Sequence, residues 1–241
     1  MSVALFWECL VADTPARAYV KCVKGHYGYY SCEKCEIPGR YTEKLRKVTF
    51  MPTNRAKRTG ASFVAQSQPA HHTGVSPLTE LAVDLVASVP LDYMHAVCLG
   101  IMKKLIVDFW KCSKPSKTKL HRTEKAFFSE KLLSYRRFVP AEFARKPRSM
   151  AECAMWKATE FRNFLMYTGP AALKDIMNDD CYMHFLHLSV ATSMLVSPSC
   201  MKMVDVAEKL LIAFLKEAVL LYGKSIYVMN VHALIHLAQD V

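Results

Sequence analysis

Gly25-His-Tyr-Gly-Tyr-Tyr-Ser-Cys32-Glu-Lys-Cys35 near the start of the chain and Asn230-Val-His232-Ala-Leu-Ile-His236 near its end hold two halves of one pattern. A Cys-x-x-Cys turn aims two thiolates at one point, and two histidines four apart on a helix share a face. Together they supply a tetrahedral Cys₂His₂ set, a donor choice of structural zinc. Each half also has a plainer reading: unrelated core thiols in one case, a helix face with satisfied ring nitrogens in the other. A second pair, His184-x-x-His187, competes for the role, although packing within a helix accounts for it better. If the halves meet, the end of the chain must return to its beginning, and metal removal should loosen that end first. Four good ligands leave no open coordination position, which argues against a small-molecule enzyme using zinc as a Lewis acid.

Upstream of this pattern, residues 3–12 are rich in strand formers and end at Asp13, and Thr14-Pro15 then opens a helix-compatible run. The spacing predicts a strand that delivers Asp13 to its C-terminal edge, where α/β sheets usually place chemistry. Downstream, residues 40–58 are basic, with Arg40, Lys44, Arg46, Lys47, Arg55, Lys57 and Arg58. Residues from about 53 to 76 are polar and poor in apolar side chains and read as a flexible surface loop. Beyond Ser76-Pro77 the periodicity is helical, with helices expected over 77–88, 93–111, 123–136, 150–167, 181–196, 203–222 and 228–240.

The 241 residues are 52% apolar and 22% charged, which suits a folded domain and not a disordered chain. Lys, Arg, Asp, His or Pro interrupts every apolar run before it could cross a bilayer. The apolar N-terminus lacks a basic segment and meets Glu8 early, so it is not read as a signal peptide. Nine cysteines at irregular spacing, an odd count, argue for reduced thiols. These features read as a soluble intracellular protein. The formal net charge of +11 draws such a chain to polyanions, nucleic acid first among them.

Three further positions bear on chemistry. Asp13 is either the first residue of a turn or a metal-binding carboxylate for phosphoryl transfer, which needs several converging acids. After Pro90, Leu91-Asp92-Tyr93-Met94-His95 sets Asp92 and His95 one turn apart at a helix start, where a capping carboxylate paired with a histidine is the plain account. Glu160 reads as a helical glutamate paired with Lys157 or Arg162. The basic stretch at 40–58, with Arg136, Arg137, Arg145, Lys146 and Arg148, could neutralise phosphates, with Tyr27, Tyr29 and Tyr30 nearby for stacking.

Asp13-Thr-Pro-Ala, the Gly25–Cys35 segment, Pro90-Leu-Asp92-Tyr-Met-His95, Trp156-Lys-Ala-Thr-Glu-Phe-Arg162 and Asn230-Val-His232-Ala-Leu-Ile-His236 occur in that order. This order resembles the transposase-like proteins of animal genomes related to the CACTA (En/Spm) group of cut-and-paste elements. The resemblance implies an RNase H-like α/β core carrying three acids for two Mg²⁺ or Mn²⁺ ions, with a large helical insertion that makes the chain predominantly α. It implies Asp13 as the second catalytic aspartate, Asp92 and His95 as an Asp-x-x-His motif near the active site, and Cys32, Cys35, His232 and His236 as a structural zinc set. Residues 1–50 would be the core remnant, 51–76 a basic and polar loop, and 77–241 the insertion ending in the histidine pair. No aspartate precedes Asp13, and no suitable glutamate follows His236, Asp240 lying too close to it. One acid of three cannot build a two-metal site. The expectation is a fragment or decayed copy that binds DNA in the nucleus without cutting it, a homo-oligomer remaining open. The alternative is a zinc-stabilised helical module that binds DNA or protein with no catalysis.

Overall fold

The computed structural model describes residues 9–81, 83–112 and 117–241. The fold is predominantly helical, and its one sheet among the described residues has two strands. The chain divides into two compact units, Met1–Asp92 with Tyr227–Asp240, and Tyr93–Ile226. These limits differ from the expected divisions at 50 and 76. The difference arises because the C-terminal segment belongs with the Cys-x-x-Cys turn and not with the helices that precede it.

In the first unit, residues 1–8 lie outside the described residues. The described part of the expected strand, residues 9–12, is not in a sheet among the described residues; Leu10 N–H bonds the Ser88 carbonyl at 2.9 Å and the Ala12 carbonyl accepts Arg17 Nη1 at 2.7 Å. Asp13 then starts the helix Thr14–Val20: its Oδ1 accepts the Ala16 N–H at 2.9 Å, with Pro15 in the first turn. The expectation of Asp13 at a strand edge is therefore corrected to a helix N-cap.

A short hairpin pairs Arg40–Thr42 with Lys47–Thr49, antiparallel, with Tyr41 opposite Val48. Its turn ends on Arg46 in left-handed backbone at φ 50°. Just before it, a Cβ on Gly39 would lie 2.5 Å from Val48 Cγ1 and 2.8 Å from the Phe50 ring, so only glycine allows this approach.

The expected loop at 53–76 contains a helix, Gly60–Val64. Thr59 Oγ1 accepts the Ser62 N–H at 3.1 Å and Ser62 Oγ accepts the Thr59 N–H at 2.9 Å, a capping box with serine at its far position. Phe63 anchors this turn in a core with Ala18, Val23, Leu85, Val86 and Val89. The expected helix over 77–88 reduces to a turn, Pro77–Glu80, and Asp84 Oδ1 then folds the chain by accepting the Val86 and Ala87 N–H groups at 2.8 and 2.9 Å.

The second unit holds the longer helices, Arg122–Ser134, Asp179–Leu195 and Val204–Tyr222. Asn178 Oδ1 caps the second of these through the Cys181 N–H at 2.9 Å. Gly223, at φ 70°, ends the third. The helix expected over 93–111 forms with wide turns, Met94–Met102 and Leu105–Trp110, and the Lys111 N–H reaches back five residues to the Ile106 carbonyl at 2.8 Å. The helix expected over 150–167 is broken at Trp156 into Met150–Met155 and Ala158–Asn163. Trp110, Phe128, Phe164 and Phe185 fill the interior, with ring centroids 5.7 to 6.5 Å apart. No helix among the described residues is long and apolar enough to cross a membrane.

Candidate metal centre

The two ends of the sequence pattern meet. Cys32 and Cys35 lie before the hairpin, and His232 and His236 sit on two consecutive helical turns, Met229–His232 and Leu234–Leu237. Phe50 N–H bonds the Tyr227 carbonyl at 2.8 Å and delivers the second segment to the first. Cys32 Sγ and Cys35 Sγ are 3.6 Å apart, Cys35 Sγ is 3.3 Å from His232 Nε2, and Cys32 Sγ is 3.6 Å from His236 Nε2. All four ligand atoms lie within 4.8 Å of one another, and all four residues are buried.

Zn–S bonds of about 2.3 Å and Zn–N bonds of about 2.0 Å imply tetrahedral edges of roughly 3.8 Å between sulfurs and 3.5 Å from sulfur to nitrogen. The Cys32–Cys35, Cys35–His232 and Cys32–His236 separations match those edges. Charge agrees as well, because two thiolates and two neutral imidazoles cancel a divalent cation, and Ile37 and Phe50 can then pack beside the ligand pair at little electrostatic cost. The residues therefore fit a metal such as zinc. Without one, burial pushes the Cys32 thiol up, while the hydrogen bond between the two thiols draws Cys35 down. His236 Nδ1 is buried with no hydrogen-bond partner among the described residues, so packing and the Cys32 contact orient that ring.

The two residues between the cysteines anchor the turn. Glu33 accepts Arg17 Nε at 3.0 Å and Lys21 Nζ at 2.9 Å, and all three side chains are buried. Burial alone would raise the Glu33 carboxyl, but Lys21 and Arg17 hold it below its usual value. Lys34 donates to the Val86 carbonyl at 2.8 Å and pairs with Asp240, whose other oxygen accepts the Leu91 N–H at 2.8 Å. Asp240 thus fastens the chain's end to the knuckle.

The segment 56–58 runs beside 34–36, with Glu36 N–H to the Ala56 carbonyl at 3.0 Å and Arg58 N–H to the Lys34 carbonyl at 2.9 Å. This alters the reading of Arg58. It is buried, donates Nε to the Cys32 carbonyl at 3.0 Å and bonds Gln68, so it braces the knuckle and is not offered to a phosphate. Arg40, Lys44, Arg46, Arg55 and Lys57 are exposed, and Lys47 is half-buried. Next to the knuckle, His71 is buried with Nδ1 2.6 Å from the Tyr30 carbonyl. Burial, then the Arg58 charge, lowers it to about 4.

Asp92 and His95 are both half-buried, Asp92 at the end of the first unit and His95 on the first helix of the second. Among the described residues the Cys₂His₂ set is the one group of three or more His, Cys, Asp or Glu side chains able to hold a metal, so Asp13 belongs to no acidic cluster there. Glu160 pairs with Arg148, at 2.6 Å to Nε and 2.9 Å to Nη2, and accepts the Lys157 N–H at 2.8 Å. It closes a helix start and engages Arg148, where Lys157 or Arg162 was the expected side-chain partner. His184 is core, stacked on Phe214 with Nε2 2.9 Å from the Phe214 carbonyl, and His187 pairs with Glu217 at 3.1 Å. None of the nine cysteines forms a disulfide among the described residues.

Sequence reasoning missed Arg17, Lys21, Glu33, Lys34 and Asp240. Their signal was a charged Glu-Lys pair inside a knuckle otherwise crowded with tyrosines. No family model, curated protein or solved structure matches the chain.

Proposed function

We propose that this chain is a zinc-clasped, DNA-binding relative of the CACTA group's transposase-like proteins, derived from an RNase H-like core and without strand-cleaving activity. The observation that carries the reading is the closed Cys32–Cys35–His232–His236 cage, joined across most of the chain by the same ordered motifs that resemble the family. Zinc is structural here, because four protein ligands fill a tetrahedral shell and leave no site for substrate. The loss of cleavage follows from Asp13, whose carboxylate is engaged in capping a helix, and from the need of two-metal chemistry for converging acids. Mg²⁺ or Mn²⁺ belongs to intact family members. DNA attraction rests on the exposed Arg40, Lys44, Arg46, Arg55 and Lys57 and on the net charge of +11, and it makes the nucleus the expected location.

The test has two parts. Purified protein should contain one zinc per chain and, with Co²⁺ exchanged in, show the visible absorption of a tetrahedral thiolate site. Mobility-shift titrations should give duplex binding whose log affinity falls with log salt by roughly 0.9 per neutralised phosphate. Incubation with Mg²⁺ or Mn²⁺ and DNA bearing candidate terminal inverted repeats should leave the strands intact, and robust cutting would sink the non-catalytic part. The second reading, a protein-binding module, has one observation in its favour: an apolar cleft of about 400 Å³ lined by Phe138, Phe143 and Tyr167. Loaded protein with no salt-dependent DNA affinity would promote it.

A further inference from the structure

The cleft of about 400 Å³ lies wholly within the unit Tyr93–Ile226. Phe138, Val139, Pro140 and Phe143 reach it from the chain that follows helix Arg122–Ser134, and Tyr167 and Ala171 from the helical turns Phe164–Thr168 and Gly169–Leu173. None of the residues that line it is charged. Its size falls inside the range of roughly 300 to 1,000 Å³ in which proteins enclose organic groups. The fold covers its rings only in part. Phe138 is 68% exposed although the Arg137 guanidinium lies 4.6 Å from its centroid, and Tyr167 is 50% exposed although Phe143 packs against it nearly edge-on at 5.5 Å. Contiguous apolar exposure marks an interaction surface, since covering it gains free energy with the area removed from water.

Charge selects what covers it. Residues 135–148 hold five cations, and Glu142 is the one acid among them. Three of the cations are engaged: Arg148 pairs with Glu160 and Glu152, Arg145 lends its charge to the same Glu160 carboxylate, and Lys146 donates to the Val139 and Pro140 carbonyls. Arg136 and Arg137 are exposed, and their partners among the described residues are the Pro147 carbonyl, 3.3 Å from Arg136 Nη1, and the Phe138 ring. Those groups are neutral and orient the two guanidinium groups without cancelling their charge. A second copy of the chain would bring its own +11 to this face and be repelled. A nucleobase inserted here would set its polar edges against Val139, Pro140 and Phe143 and leave them unpaired, at a cost in desolvation. An aromatic side chain flanked by carboxylates satisfies the apolar interior and the arginines together.

We propose that this cleft docks a segment of an acidic protein, with an aromatic side chain inserted among Phe138, Phe143 and Tyr167 and neighbouring carboxylates paired with Arg136 and Arg137. The proposal rests on the protein-binding reading of the cleft and adds the chemistry of the partner. It is separate from DNA attraction, because the exposed Arg40, Lys44, Arg46, Arg55 and Lys57 belong to the other unit. Aromatic anchors seated in an apolar pocket carry most of the energy of such interfaces, while charges at the rim set encounter rate and selectivity.

Fluorescence anisotropy of the zinc-loaded full chain with a short labelled peptide, a tryptophan flanked by glutamates, tests this. Parallel arms carry alanine in place of the tryptophan, or lysines in place of the glutamates. The expected result is binding of the acidic tryptophan peptide that loss of the tryptophan, or Phe138→Ala in the protein, weakens about 10-fold or more. Arg137→Gln should weaken it less and flatten its dependence on salt. Zinc content and circular dichroism of both variants should equal wild type, since both side chains are exposed, and Phe138→Ala should keep wild-type affinity for duplex DNA. Wild-type peptide binding by Phe138→Ala overturns the proposal. So does an oligothymidylate that displaces the peptide and is itself released by Phe138→Ala, which would give the cleft to nucleic acid. A lysine-flanked peptide bound as tightly as the acidic one, and still sensitive to Phe138→Ala, removes the acidic partner and leaves a protein-binding cleft; binding of no peptide removes both.

Discussion

The helices Asp179–Leu195 and Val204–Tyr222 of the second unit run 17 and 19 residues, whereas the longest described helix of the first unit, Thr14–Val20, runs seven. Helices that short do not persist on their own in water, since the nucleation cost is spread over too few bonds. Each unit meets this constraint differently. Tyr93–Ile226 uses area, with Trp110, Phe128, Phe164 and Phe185 packed ring against ring. Met1–Asp92 with Tyr227–Asp240 uses cross-links: the Cys₂His₂ cage, the buried Arg17–Glu33–Lys21 group and the Lys34–Asp240 pair. A region held by area loses stability in graded steps when trimmed. One held by cross-links should fail together when a single link is cut.

Metal removal is the strongest way to break the comparison. Structural zinc contributes on the order of 10 kcal/mol to small domains that depend on it. Chelation, or Cys32→Ser, should therefore abolish amide-exchange protection over residues 9–92 and 227–240 while helices Asp179–Leu195 and Val204–Tyr222 stay protected. Uniform loss across both units, or no loss in either, would show that the clasp does not divide the chain this way.

Single buried groups come next. Glu33→Gln leaves two buried cations short of their anion and should cost about 3 to 5 kcal/mol, read in the exchange of the first unit. Phe185→Ala should cost a similar amount, about 3 to 5 kcal/mol, in the second. Equal sizes in different places, with Glu33→Gln also lowering zinc affinity and Phe185→Ala leaving it unchanged, would sharpen the contrast.

Acid gives the smallest and most graded effect. His184 in the second unit and His71 in the first are each lowered from 6.5 to about 4, chiefly by burial. Above pH 6.5 both rings are neutral in folded and unfolded chain, and no stability depends on them. As pH falls from about 6.5 to about 4 the unfolded chain takes up the proton first, so each ring removes up to about 3 kcal/mol; below about 4 the loss levels off. Denaturant melts of the second unit should show that slope, and His184→Gln should flatten it. The first unit should show the same slope from His71, and His71→Gln should flatten it there.

Much of the candidate site was legible because its chemistry is local. The spacings Cys-x-x-Cys and His-x-x-x-His fix where donor atoms point whatever surrounds them. The cap at Asp13 was within reach for the same reason, since Asp13-Thr-Pro is compatible with a helix start; the residues alone left a turn and a metal-binding carboxylate both open, and the resemblance added the role of second catalytic aspartate. The helix at Gly60–Val64 was hidden because serine, in place of glutamate, completes its capping box, and one buried ring, Phe63, holds it.

What the sequence by itself determined is therefore a donor set, a sign of charge and the longer helices, all properties of residues within a few positions of one another. Tertiary structure alone decided that Cys32 and His236 approach to 3.6 Å across 204 positions. It also decided that Arg58 turns inward to the Cys32 carbonyl while Arg46 stays in water. Both arginines belong to one basic run. Only burial distinguishes them, and burial depends on which distant segments the chain folds against.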